Sequence, residues 1–307
     1  MEISIYKKSL KNKNLLKISK PLPGSWIFIQ NLSKDDIDLL NKEFKLNKKN
    51  LEDVFDEFTQ PRLEIVKDFL YIFLKIPYLE NNEIKILPIL IILTPKFIFT
   101  IFSKSTDVFT PILDNLISFT TTQKTKFFLL KLNLINNSYR ILVNKLIKIS
   151  EEFHSSLYSE INDKKIIELS KLEILLSTTL SSLITTYKVY EKLLFKKYLE
   201  FLQEEKTNVD DLSFDMLELI EIVNSNIKRL RIIKDNYQMI LDRSTNKRIL
   251  TLTIITVILF IPTIIFSYYG MNIPLPFQYT HWSTVFISVI SLVIPILGYF
   301  WFKNKLK

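Results

Sequence analysis

The pattern of apolar and polar positions changes character twice along this chain. Over 1–110 the apolar residues fall in short runs rich in β-branched and aromatic side chains, separated by polar turns. Segments 26–29, 69–76, 84–93 and 97–102 read as strands on that pattern, with Glu80-Asn81-Asn82-Glu83 as the turn between the second and third. Ser33 followed by Asp35 and Asp36 marks a helix start leading into Leu39 and Leu40, and 50–58 fits a second short helix. The expectation is an α/β layer with a mixed or antiparallel sheet.

From Pro111 until Pro262 neither Pro nor Gly occurs, and apolar residues recur at helical spacing. Residues 111–245 are therefore expected to be a few long helices, at about 111–121, 125–159 and 164–203, with a last one starting near Asp210. In that last helix Met216, Ile220, Val223, Ile227 and Leu230 step by four and three, a seam that a neighbouring helix can cover. The pattern continues through Tyr237 and Leu241 to Asn246 without a breaker, which predicts a stalk continuous with the apolar run beyond it. The alternative is a hinge at 242–245.

The second change comes at Asn246, where two long apolar runs begin that flank Tyr269-Gly270-Met271-Asn272. Between Ile249 and Phe302 there is no Lys, Arg, Asp or Glu, and each run reaches the roughly 20 residues that a helix needs to cross a bilayer. Segments 246–269, charge-free from Ile249, and 284–302 are expected to be transmembrane helices. Between them 270–283 holds Gly270, Asn272, Pro274, Pro276, Gln278, Thr280 and His281, which suits a short loop at a water interface. Segment 303–307 is a basic tail.

Polar residues within the first run fall in register. Stepping by three and four from Asn246 gives Ile249, Thr253, Thr256, Phe260, Thr263, Ser267 and Gly270, one face of a helix. One reading is a water-lined path, with Asn and Thr oxygens as weak ligands and Ile249 or Phe260 as apolar constrictions that gate by dewetting. The other is a packing seam, because small and hydroxylated residues also line helix contacts in membranes. Two spans cannot enclose a pore, so the first reading requires a symmetric oligomer.

Charge sets the orientation. Arg243, Lys247 and Arg248 precede the first run, Lys303, Lys305 and Lys307 follow the second, and the loop between has neither Lys nor Arg. Both termini are thus expected in the cytoplasm, making 1–245 a cytosolic body, with Tyr268, Tyr269, Trp282 and Trp301 as interfacial aromatics.

Composition narrows the chemistry. The chain has 307 residues, a net charge of +9 and no Cys, which excludes disulfides, thiolate metal sites and cysteine catalysis. Lys and Glu are interspersed and several surplus charges flank the apolar runs, so the charge does not point to nucleic acid. The first 20 residues alternate Ile and Leu with Lys and lack the apolar core of a signal peptide. His154 and His281 are the two histidines, one in an acidic helical neighbourhood and one beside Trp282. There is no phosphate-cradling glycine loop, no His-Glu-x-x-His and no Ser/His/Asp set with a nucleophile turn, so the expectation is not an enzyme.

Tyr269-Gly270-Met271-Asn272 directly after a first span, then a Pro-containing loop and a second span close to a basic end, resembles the CorA family of magnesium transport proteins. Asn246, Leu252-Thr253-Ile254-Ile255 and Pro262 resemble that family's first helix, and Leu51-Glu52-Asp53 with Pro61-Arg62-Leu63-Glu64 resemble its cytosolic domain. The resemblance implies a homopentameric channel of the bacterial cytoplasmic membrane for passive influx of Mg²⁺, with Co²⁺ and Ni²⁺ as further substrates. It assigns Gly270, Met271 and Asn272 to the ion-selecting loop and an Asn ring at the cytoplasmic entrance to Asn246.

No resident cofactor is implied; Mg²⁺ is substrate and regulatory ligand, bound in the family by carboxylates between cytosolic domains. Asp210 and Asp211 are the candidates for that role, although paired carboxylates at a helix start are also ordinary neighbours of its dipole. One departure concerns the loop, where many members carry Met-Pro-Glu-Leu and this chain reads Ile273-Pro274-Leu275-Pro276. Two other readings stand beside this one, a zinc or other divalent-cation carrier of the same superfamily and a membrane scaffold that transports nothing.

Overall fold

Trp26, Ile27, Phe28 and Ile29 are all buried, so this run has neighbours on both of its faces. It lies inside β3 (Ser25–Gln30), the third strand of a seven-stranded sheet. The other strands are β1 (Glu2–Lys7), β2 (Leu16–Lys17), β4 (Arg62–Val66), β5 (Phe69–Glu80), β6 (Glu83–Leu93) and β7 (Phe97–Ile101), in the order β2-β1-β3-β7-β6-β5-β4. Among the described strands only β3 and β7 pair in parallel, which makes the sheet mixed. This computed structural model describes residues 1–11, 14–80, 83–155, 163–195, 198–272 and 282–305. It divides into two units, Met1–Lys234 and Asp235–Lys307.

In the first unit, alternate side chains sort to the two faces of the sheet. Ile27 and Ile29 join Tyr71, Phe73, Leu90, Ile92, Phe99 and Ile101 in one cluster under α1 (Ile37–Phe44) and α2 (Lys48–Glu52), which contribute Leu40 and Leu51. Trp26 and Phe28 point the other way, and Trp26 meets Phe127 of α4 (Lys124–Ser155) edge-on at 5.4 Å. The Asp53 and Pro61-to-Glu64 motif is structural: Arg62 pairs with Asp53 and, at 2.6 Å, with Glu64, while its guanidinium lies 3.8 Å over the Phe73 ring. That cluster ties the turn after α2 to the edge strand β4.

Several boundaries differ from those expected. β1 and β4 were not predicted, because Glu2, Ser4, Arg62 and Glu64 break up the apolar signal of strands near the sheet edges. α3 covers only Thr110–Leu113, since Asn115 takes a left-handed conformation (φ 55°) and Leu116 N–H turns back to the Pro111 carbonyl. α5 (Asp163–Leu193) stops ten residues short of 203, where Leu194 and Phe195 N–H groups bond three residues back and tighten the last turn. Positions 81 and 82 of the expected turn, and 156–159 and 196–197 of the expected helices, lie outside the described residues.

α6 (Gln203–Tyr269) is one helix of 67 residues and continues through 242–245, the position of the alternative hinge. It starts at Gln203 because Glu205 reaches back to accept Leu202 N–H at 3.0 Å, half of a capping box, and also takes the Thr125 hydroxyl. The acidic pair Glu204 and Glu205 was the signal for that start. The second unit holds the C-terminal part of α6 and α7 (Ser283–Lys305).

Candidate ion path and acidic cleft

Within the second unit, α6 is the one described helix long and apolar enough to cross a membrane, and none of its most apolar stretch is buried. Val285–Trp301 in α7 is a shorter apolar stretch. Within 249–269 of α6 the partly covered positions are Ile254, Ile258, Ile261, Pro262, Ile265 and Tyr269. On α7 the covered ones are Ile287, Ser288, Ile290, Ser291, Pro295 and Gly298, with Ser291 only 2% exposed. Each set forms a single stripe at helical spacing.

Asn246, Ile249, Thr253, Thr256, Phe260, Thr263, Ser267 and Gly270 are all exposed. At about 100° per residue, this polar stripe lies roughly opposite the covered stripe of isoleucines. From Asn246 to Gly270 it runs 24 residue steps, about 36 Å at 1.5 Å per residue, which matches the hydrocarbon core of a bilayer plus part of its interfaces. Within one chain, then, the polar stripe is not the packing seam.

The threonine hydroxyls have a defined polarity. Thr253 donates to the Ile249 carbonyl at 2.9 Å, Thr256 to Leu252 at 2.9 Å and Thr263 to Leu259 at 3.0 Å. With each proton engaged by the backbone, the oxygen presents only lone pairs outward. A surface of acceptors complements the O–H groups that a hydrated cation displays. Ile249 and Phe260, each 57% exposed, interrupt that surface with apolar bulk.

Gly270 closes α6, its N–H bonding the Phe266 carbonyl at 2.9 Å. Met271 and Asn272 follow it, both exposed. Among the aromatics expected at interfaces, Tyr268, Trp282 and Trp301 are exposed and Tyr269 is partly covered. The rest of the expected outer loop, 273–281 with His281, lies outside the described residues, as do the side chain of His154 and residues 306–307.

In the first unit, Asp210 and Asp211 stand two turns inside α6 and not at its start, so the dipole of the helix end does not account for them. Both are exposed, and only Asp211 lines a cleft of about 450 Å³. Glu204, Asn208 and Asp215 from α6 and Lys126 and Asn133 from α4 line it too. Asp215 is committed to Arg140 at 3.0 Å. Sequence reasoning passed over Asp215, although a spacing of four puts it on the same helix face as Asp211. Among the described residues no group of three or more His, Asp or Glu is arranged to hold a metal ion.

A family model described as "CorA-like Mg2+ transporter protein" matches residues 24–304. Among solved structures, the complete CorA magnesium transporter from Methanocaldococcus jannaschii is 21% identical, with 99% of this chain and 98% of that one covered at a TM-score of 0.82. The full-length CmaX protein is 12% identical over 99% of this chain and 97% of that one, with a TM-score of 0.71. The cytoplasmic domain of ZntB from Vibrio parahaemolyticus is 9% identical over 78% of this chain and 98% of that one, with a TM-score of 0.62. At these identities the likeness is one of fold. No curated protein matches the chain.

Proposed function

Because the chain belongs to the CorA-like Mg²⁺ transporter family, we propose that it conducts Mg²⁺, with Co²⁺ and Ni²⁺ as further substrates, passively into the cell. The chain would cross the bacterial cytoplasmic membrane twice, through 246–269 and 284–302, with both termini in the cytoplasm. Five copies would surround a pore lined by the polar stripe of α6. The observation that carries this reading is the placement of Asn246, Thr253, Thr256, Thr263 and Ser267 on a face left uncovered within the chain, opposite the stripe of isoleucines. A face of outward lone pairs has no use against lipid and a clear use against water.

Mg²⁺ dehydrates reluctantly and keeps several of its waters. In the proposed path the Gly270 carbonyl and the Asn272 side chain form the outer ring and accept hydrogen bonds from the hydration shell without replacing it. The ion then passes the threonine oxygens and leaves by Asn246. Ile249 and Phe260 narrow the path where no acceptor is offered, so they close it when it dewets. A negative interior drives entry with about 2.3 kcal/mol per charge per 100 mV, or about 4.6 for a divalent ion. Asp211, with Asp210 beside it, would take part in a regulatory Mg²⁺ site completed by a neighbouring copy.

The test is divalent-cation flux into proteoliposomes holding the full chain, for Mg²⁺, Co²⁺, Ni²⁺ and Zn²⁺, with and without Asn272→Ala. Wild-type flux of Mg²⁺ that is lost in the variant is the expected result. Assembled wild-type protein that passes none of the four ions would leave a scaffold, and passage of Zn²⁺ alone would leave a zinc carrier.

A further inference from the structure

Asn136 of α4 is buried, 4% exposed, and both ends of its amide are engaged. Its Nδ2 donates to the Leu212 carbonyl of α6 at 2.9 Å, and its Oδ1 accepts the Tyr190 hydroxyl of α5 at 2.9 Å. Tyr190 is itself fully buried, and burial holds its hydroxyl protonated by pushing its pKa well above the usual value. The amide therefore has one orientation, because a flipped one would set its oxygen against the Leu212 carbonyl.

The position of Leu212 gives this link its meaning. Its carbonyl lies inside α6, two turns after Gln203, in a stretch where backbone bonds are otherwise internal to the helix. A donor fixed in α4 and aimed at one interior carbonyl sets the register of α6 to a single residue, since the next carbonyl lies about 1.5 Å along the axis and about 100° around it. Leu212 directly follows Asp210 and Asp211, and it borders the cleft that Asp211 lines. α5, α4 and the acidic turn of α6 are thus joined through two hydrogen bonds that meet on one amide.

We propose that Asn136 is a positioning residue for regulation: it holds the turn of α6 that carries Asp210 and Asp211 at the height where cytosolic Mg²⁺ acts, and Tyr190 sets its orientation from α5. The inference rests on the regulatory reading of Asp211 given above. Tyr139 supplies a comparison within the same core. One turn along α4, its hydroxyl bonds Ser182 of α5 and donates to the Lys75 carbonyl of β5 at 3.0 Å, with no hydrogen bond to α6 among the described residues.

The experiment measures flux into proteoliposomes of the full chain while Mg²⁺ on the cytosolic face is raised. The variants are Asn136→Leu, Asn136→Asp, Tyr190→Phe, Tyr139→Phe and Asp211→Asn, with thermal unfolding of each followed in parallel. Both Asn136 variants should raise the half-inhibiting Mg²⁺ concentration roughly fivefold or more, the lower end of ordinary coupling between sites, and leave maximal flux intact. Tyr190→Phe should shift it the same way by less, and Tyr139→Phe should not shift it even where it lowers the unfolding temperature. Wild-type inhibition in both Asn136 variants, or a shift no greater than that of Tyr139→Phe, overturns the proposal. If Asp211→Asn leaves inhibition unchanged, the reading of Asp211 fails and the proposal falls with it; if Asp211→Asn shifts inhibition and the Asn136 variants do not, that reading stands and only the role of Asn136 fails.

Discussion

The Lys131 side-chain nitrogen lies 2.7 Å from Thr100 Oγ1 in the first unit, fully buried, with no carboxylate paired to it among the described residues. Its other neighbours are the rings of Trp26 at 4.6 Å and Phe127 at 4.5 Å, and the same Thr100 oxygen accepts the Trp26 indole N–H at 3.0 Å. One hydroxyl and two ring faces compensate poorly for a desolvated ammonium. Burial accordingly drives the Lys131 pKa well below the ordinary 10.5.

That depression makes a prediction about stability. Between the folded value and 10.5 the unfolded chain binds the proton and the folded one does not, so stability rises with pH across that window. Lys131→Met removes the buried amine and keeps most of the volume, and it should stabilise the first unit by about 1–3 kcal/mol at neutral pH. Thermal unfolding of the full chain in detergent, followed from neutral to alkaline pH, should show the gain shrinking as pH rises. A loss of stability at neutral pH would mean that the cation–π contacts outweigh desolvation.

The threonine stripe separates a pore from a seam. Thr253→Leu, Thr256→Leu and Thr263→Leu each replace an exposed acceptor and change nothing on the covered face. Each should lower Mg²⁺ flux by about tenfold or more, equivalent to about 1.4 kcal/mol on the barrier, with the unfolding temperature little changed. Ile258→Asn and Ile261→Asn, on the covered stripe, should do the reverse and lower stability first. Equal flux in the threonine variants and wild type would remove that face from the ion path.

How much could be read in advance depends on how local each signal is. Trp26-Ile27-Phe28-Ile29 is apolar at every position because β3 is covered on both faces, and the polar stripe of α6 repeats over many turns, so both were legible. β1 and β4 were hidden by polar residues that alternate with the apolar ones near the sheet edges, where one side of a strand meets water. The division between Asp210 and Asp211 was not legible, because it depends on where α4 lies against α6. The Asn136 link to Leu212 crosses 76 positions of sequence and ends on a backbone carbonyl, which leaves no trace in residue type.

The outer loop gives the last prediction, from sequence alone, since Leu275 lies outside the described residues. Many family members carry a Glu where this chain has Leu275, and no acidic residue occurs after Asp242. The proposed outer mouth therefore attracts cations only through amide and carbonyl dipoles. In Leu275→Glu, a ring of added carboxylates should raise the local concentration of Mg²⁺ and lower the half-saturating concentration for flux several-fold at low ionic strength. Near 1 M salt, where the Debye length is about 3 Å, that advantage should largely vanish. Maximal flux should change little, because the carboxylates act on capture and not on passage beyond Asn272. A half-saturating concentration that stays at the wild-type value in low salt would mean that Leu275 does not face the entrance. A lowered value that persists unchanged in high salt would instead mean that the new carboxylate binds the ion directly.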